Sequence, residues 1–457
     1  MAKHRIVAGV FQRGFFMSAI KKATRIELFN MKSPATRAFH ITWFSFFLCF
    51  FGWFGIAPLM AIVREEFSLS KTQIGNTIIA SVLVTVFARL LIGWIADKVG
   101  PRRTYTWLLI LGSLPVMLIG FAGSYGTFLM FRLLIGIIGA SFVITQLHTS
   151  LMYGPNCVGT ANATSAGWGN LGGGVTQMVM PLFLTGFIAL GFSEFWAWRL
   201  SMVIPGILMF GTGFLYYFGT RDTMEGDFEE LRKAGRMESS KSANGAFLEA
   251  VKDKRVWALF VIYGACFGIE LTINNVASLY FMDNFGVGLK TAGIIAGLFG
   301  LMNIFARTLG GYFGDKFGMR WGLRGRVKFL QMVLFLEGIS LIAFSQISVL
   351  WLAIPSLVIF SLFVQMSEGA TFSTVPFVNK RALGAVSGIV GAGGNVGAVL
   401  AGFLFRAEGL SWTTAMLILG TIVLFSSGLA VLVKFSKEAE VAAQRELEER
   451  LQMAHAA

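Results

Sequence analysis

Charge is scarce in this chain. Asp, Glu, Lys and Arg together make up 14% of its 457 residues, against roughly 25% in an ordinary soluble domain. That deficit argues against a water-facing globular protein. Three cysteines, Cys49, Cys157 and Cys266, lie far apart in or beside apolar runs, so neither a disulfide framework nor a zinc site is expected. The four histidines, His4, His40, His148 and His455, have no metal spacing and no nucleophile constellation around them. No enzyme chemistry, no metal and no cofactor is therefore predicted. What the chain does have is apolar bulk: hydrophobic residues reach 55%, with 45 Phe and 54 Gly. Twelve membrane-spanning helices of about 20 to 25 residues would consume roughly 240 to 300 positions, which this length accommodates.

Apolar runs bounded by charges or turn residues predict an all-α polytopic membrane protein with twelve spans. They fall at 40–63, 71–96, 104–122, 127–153, 160–190, 198–219, 256–282, 291–314, 327–345, 349–378, 383–405 and 412–433. The one long polar stretch divides six spans from six. The predicted organisation is a cytoplasmic tail (1–38), a six-helix half (39–219), a cytoplasmic linker (220–255), a second six-helix half (256–434) and a cytoplasmic tail (435–457). The first tail lacks the apolar core and cleavage site of a signal peptide. Orientation follows from the basic residues. Thirty of the 38 fall on the side of the tails and linker, and only Arg64, Lys71, Arg199, Lys290 and Arg406 on the other, which the positive-inside rule reads as cytoplasmic termini. The net charge of +14 is thus topological and no sign of nucleic acid.

Three basic residues sit inside spans: Arg89, Arg132 and Arg307. Two belong to an internal repeat. Residues 87–100, FARLLIGWIADKVG, recur 218 positions on as 305–318, FARTLGGYFGDKFG, with eight of fourteen identical. Two Gly-rich spans repeat as well, around Gly169 and Asn170 and around Gly394 and Asn395. Parallel duplication with special residues at matching positions describes a transporter whose site lies near the bilayer midplane between the halves. Each arginine is eight residues from its Asp, about 12 Å of helix, so both lie deep in the hydrocarbon. Burying one there costs about 2.5 to 3.5 kcal/mol on insertion scales, which implies a hydrated cavity or an anionic partner. Arg132, near the outer end of its span and without a counterpart in the repeat, is assigned a structural part. The Asp ends of the repeat, Asp97 with Arg102 and Arg103 and Asp315 with Arg320, are predicted gating groups: carboxylates and cations that lock one helix end against its neighbours and release on switching. Their glycine-x-x-x-Asp-Lys-x-Gly pattern resembles the loop signature of the major facilitator superfamily.

The runs 159–174, GTANATSAGWGNLGGG, and 388–397, GIVGAGGNVG, resemble the two nitrate signatures of the nitrate/nitrite porter family within that superfamily. The resemblance extends over all twelve spans. It implies alternating-access transport of nitrate or nitrite, with Arg89 and Arg307 clamping the anion and Asn170 and Asn395 donating further hydrogen bonds. It also implies that Phe142 and Phe372 sandwich the anion and that the Tyr263 hydroxyl donates to it. The chemistry suits: nitrate is a planar monoanion with three acceptor oxygens, and guanidinium forks are planar donors. Two arginines facing one monoanion would leave an excess of +1.

Buried acids in transporters are proton-relay candidates. Glu270 and Glu368 resemble the assimilatory, proton-driven branch of the family, and His148 is a further candidate; Glu337 is taken as structural. The predicted function is proton-coupled nitrate import for assimilation. The alternatives are nitrate/nitrite exchange and, from another class, a membrane nitrate sensor, which a short linker and tail disfavour. Expected partners are the inorganic anion, protons and the lipid bilayer, with the chain a monomer in the cell membrane.

Overall fold

The computed structural model describes residues 22–154, 157–236, 243–379 and 383–445. Among them no strand forms, and nearly everything is helical. Eleven helical stretches are long and apolar enough to cross a membrane. One of these, Leu289–Ser345, has 57 residues. At 1.5 Å per residue it would measure about 85 Å, nearly three times a hydrocarbon core of about 30 Å. It breaks at Trp321 and Gly322, where Gly322 takes φ 67°, a backbone conformation that glycine adopts without penalty. The stretch therefore makes two crossings, which brings the described residues to twelve.

We number the crossings α1 (Pro34–Glu66), α2 (Lys71–Ala96), α3 (Pro101–Phe121), α4 (Tyr125–Met152), α5 (Gly159–Ala189), α6 (Glu194–Gly219), α7 (Lys254–Phe285), α8 (289–320), α9 (323–345), α10 (Leu350–Phe377), α11 (Val386–Arg406) and α12 (Trp412–Leu432). Two short helices, Phe228–Lys233 and Ala243–Lys252, lie in the segment between α6 and α7. Several helices outrun their expected ends. The α2 helix continues to Val99 and stops only at Gly100, φ 97°, and α8 runs past Asp315. Hydropathy ends where charge begins, whereas the backbone ladder ends where a residue leaves helical geometry.

Polarity is inverted relative to a soluble protein. Phe87, Trp107, Phe121, Trp351 and Phe425 are exposed, while Arg89, Asn170, Glu270, Arg307, Glu368 and Asn395 are buried. Large apolar side chains facing outward and polar ones facing inward suit a lipid solvent. The first six crossings meet the last six along two seams, α2 against α11 and α5 against α8. At the second seam Gly174 and Gly300 touch backbone to backbone, and a Cβ on either would overlap the other. Small residues give this close approach.

Two crossings are interrupted near the middle. In α4 a tight turn of helix occupies Ile137–Ala140, and in α8 another occupies Met302–Ile304, followed by Phe305 at φ −135°, ψ −28°. Irregular backbone at membrane depth is tolerated where protein surrounds it. Here both breaks border the buried polar cluster.

Candidate functional site

Helical periodicity assembles the cluster. On α7, Tyr263, Phe267 and Glu270 share one face at spacings of four and three, and on α10 Glu368 and Phe372 do the same at four. Arg89 from α2 and Arg307 from α8 point to that face. The Arg89 guanidinium lies 5.0 Å from the Phe142 ring centre and 5.1 Å from that of Phe267. The Arg307 guanidinium lies 5.7 and 5.9 Å from the same two rings. Both cations thus flank one pair of stacked aromatics, whose centroids are 6.0 Å apart. Neither arginine exceeds 1% exposure.

Their partners differ. Arg89 donates from Nη1 to the Gly391 carbonyl (2.5 Å) and from Nε to the Gly139 carbonyl (3.3 Å), and its Nη2 has no partner. Gly139 lies in the tight turn that interrupts α4. Arg307 instead pairs with Glu368 through Nη1 and donates from Nη2 to the Tyr263 hydroxyl at 2.9 Å. Glu270 stands 4.0 Å from the same Nη1. Its two oxygens accept from Asn170 Nδ2 (2.8 Å) and Asn303 Nδ2 (2.7 Å). Asn395 is buried with neither side-chain atom hydrogen-bonded. Two guanidiniums and two carboxylates thus face one another in the cluster; the expected excess of one positive charge counted the arginines alone.

The structure brings Arg89, Arg307, Phe142, Tyr263, Phe372, Asn170, Glu270 and Glu368 together, while Gly169, Gly394 and His148 make other contacts. The Phe142 and Phe372 rings, expected to lie on either side of a planar ligand, meet edge to face at 5.4 Å and 81°. Gly169 makes room for the Phe46 ring and Gly394 for the Phe267 ring. His148 lies six residues beyond Phe142, about 9 Å toward the linker. Its Nδ1 meets the Tyr216 hydroxyl at 2.5 Å and its Nε2 the Arg221 carbonyl at 2.8 Å, so both ring nitrogens are occupied away from the arginines. Glu337 is buried on α9.

At the linker end, Asp315 pairs with Arg326 (2.5 Å), which also donates to the Ser373 carbonyl (3.1 Å). Arg320 lies over Trp321 instead. In the first repeat Arg102 pairs with Asp227 and Arg103 with Glu229 (2.8 Å), both in the linker. Asp222 accepts from the Arg102 and Phe228 amides at 2.8 and 2.9 Å. Burial pushes its carboxyl up to about 6 against the pull of those amides. The Asp97 side chain lies outside the described residues. Four residues escaped the sequence reading: Phe267, Asn303, Arg326 and Asp222. Phe267 had a signal, being four residues from Tyr263 on the same face of α7; Asn303 is likewise four residues from Arg307, but the break at Met302–Phe305 lies between them.

Residues 42–379 match the family described as the Major Facilitator Superfamily. High affinity nitrate transporter 2.5 of Arabidopsis thaliana is 41% identical over 389 residues, covering 85% of this chain and 77% of that protein. The nitrate/nitrite transporter NrtP of Picosynechococcus sp. is 32% identical over 448 residues, covering 79% of this chain and 83% of that protein. A bacterial homologue of the human lysosomal transporter Spinster, solved in an inward-facing unoccupied conformation, superposes with TM-score 0.66 over 89% of this chain and 99% of its own, at 17% identity. That last likeness is one of fold.

Proposed function

The chain belongs to the nitrate/nitrite porter family of the major facilitator superfamily, a family of transporters and not of enzymes, and from that premise we propose that it imports nitrate together with protons by alternating access. Charge balance in the central cluster carries the reading. Arg89 and Arg307 with Glu270 and Glu368 sum to zero. A nitrate added to them leaves one negative charge in low dielectric, where an uncompensated charge is costly. One proton on Glu368 restores neutrality and frees Arg307 Nη1 from its pair. The anion then takes donors from both arginines: the unpartnered Nη2 of Arg89 and the released fork of Arg307. The Asn395 amide, buried without a partner, supplies a further donor. Glu270 keeps its two amide donors while Glu368 holds Arg307 directly, which makes Glu368 the carboxylate that exchanges its proton. His148, with both nitrogens engaged, stands aside from the route.

In this reading α1–α6 and α7–α12 are the two bodies that rock about the cluster and residues 220–255 join them, while the Asp315–Arg326 pair, with both partners in the second body, braces α8 against α9 at the linker end. The protein sits as a monomer in the cell membrane with both termini in the cytoplasm, as the distribution of Lys and Arg supports. Proteoliposomes test the coupling, with the pH gradient and internal nitrite varied independently. Saturable nitrate uptake that rises as the outside is acidified and collapses with a protonophore is the expected result. Uptake indifferent to both but driven by internal nitrite would overturn it in favour of exchange.

A further inference from the structure

Arg132 carries an uncompensated charge in a place where nothing described above uses it. It is 1% exposed and lies on α4 ten residues before Phe142, about 15 Å nearer the end remote from the linker. Its Nη1 donates to the Trp53 carbonyl and its Nη2 to Asn275 Oδ1, both at 3.1 Å. Its Nε has no partner, and among the described residues no carboxylate pairs with it. The neighbouring cations on that side are treated differently. Arg199 is paired with Glu66 at 2.6 Å and Arg64 with Asp283 at 3.3 Å. Arg132 instead shares its pattern with Arg89: a buried fork, neutral oxygen acceptors and one idle N–H.

The position also matters. Trp53 and Arg132 belong to the first six crossings and Asn275 to α7, so the Nη2 bond crosses between the two bodies. Asn275 stands eight residues beyond Phe267, about 12 Å along α7 in the same direction as Arg132 from Phe142. Separation of the bodies on this side removes Asn275 Oδ1 from Arg132 and leaves a guanidinium with two unfilled donors facing the opened path.

We propose that Arg132 is an external station for a small inorganic oxyanion, which it captures when the far side opens and passes inward to Arg89 and Arg307. The station rests on the nitrate-import reading. When empty and closed, Asn275 Oδ1 takes the place of an anion oxygen; when open, a nitrate oxygen replaces it. A fixed cation at the mouth of a low-dielectric path raises the local anion concentration, so its effect belongs in apparent affinity from outside and not in turnover.

The test is the kinetics of nitrate uptake by oriented proteoliposomes. Arg132→Gln is expected to raise the KM for external nitrate about tenfold while Vmax stays within about twofold. Arg132→Lys, which keeps the charge and loses the fork, is expected to recover part of that affinity. Asn275→Asp gives a second route that keeps the arginine: a tethered carboxylate occupies the fork, and KM rises as it does in Arg132→Gln. If the contact is only a tie between helices, Asn275→Asp tightens it, Vmax falls and KM is unmoved. That result, or an unchanged KM in Arg132→Gln, overturns the station while nitrate import stands. Wild-type protein without saturable nitrate uptake overturns the import reading and the station with it.

Discussion

Arg89 and Arg307 occupy equivalent places in a duplicated motif, each eight residues from an Asp and each deep in a crossing helix, yet their surroundings are opposite. Arg89 is held by two glycine carbonyls and keeps a spare N–H. Arg307 is held by a carboxylate and a phenol, with a second carboxylate 4.0 Å away. Duplication preserved the cations and let their counter-charges diverge. The first arginine presents its charge to whatever arrives; the second is already spoken for and must be released. In the proposed mechanism this difference couples arrival of an anion to neutralisation of an acid, which two identical arginines would not do.

The contrast breaks most sharply under substitution of Arg307. Arg307→Gln strands Glu368 and Glu270 without a cation and is expected to cost about 3 to 5 kcal/mol of stability together with all uptake. Arg89→Gln strands no acid, so it is expected to abolish uptake while melting near the wild-type temperature. Thermal denaturation in detergent compares the two, and equal melting would erase the distinction. Combining Arg307→Gln with Glu368→Gln is expected to recover much of the lost stability, since the pair is then removed together.

Arg89→Lys replaces a planar fork by a point charge. Nitrate affinity is expected to fall about tenfold, or about 1.4 kcal/mol, read as KM in uptake. A normal KM would take Arg89 out of the site. Glu368→Gln sharpens the other side of the comparison. Nitrate counterflow is expected to persist within about threefold of wild type, while the rise in uptake at acidic external pH disappears; a retained pH response would move the proton elsewhere. The smallest effect is expected of Phe267→Leu, which removes a ring facing both cations. At about 0.5 to 1 kcal/mol for such a contact, KM should rise roughly threefold, with melting little changed.

Much of this was visible before any coordinates. The twelve crossings followed from apolar runs, and the arginines stood out because a cation in hydrocarbon demands a reason. The rise per residue placed Arg89 and Arg307 at matching depths. Depth is a single coordinate, however, and the azimuth of each helix is set by its neighbours. Sequence therefore could not tell that Glu368 would face Arg307 while, among the described residues, no acid pairs with Arg89. Nor could it tell that Arg326, beyond the break at Gly322, would fold back on Asp315 in place of Arg320. Nor could it tell that the amide of Asn170, expected to donate to the anion, would donate to Glu270.

The bare backbone contact of Gly174 with Gly300 has a mechanical consequence. With no side chain between them, the two helices can roll on each other as on a pivot. Gly174 is four residues from Asn170, about 6 Å, and Gly300 seven from Arg307, about 10 Å, whereas the ends of α5 lie about 22 Å from the contact. For a given angle of tilt, displacement grows with distance from the pivot. In the proposed alternating-access cycle the mouths would therefore swing two to four times as far as the cluster between them, and an anion held there would stay nearly still while the passage around it changes sides.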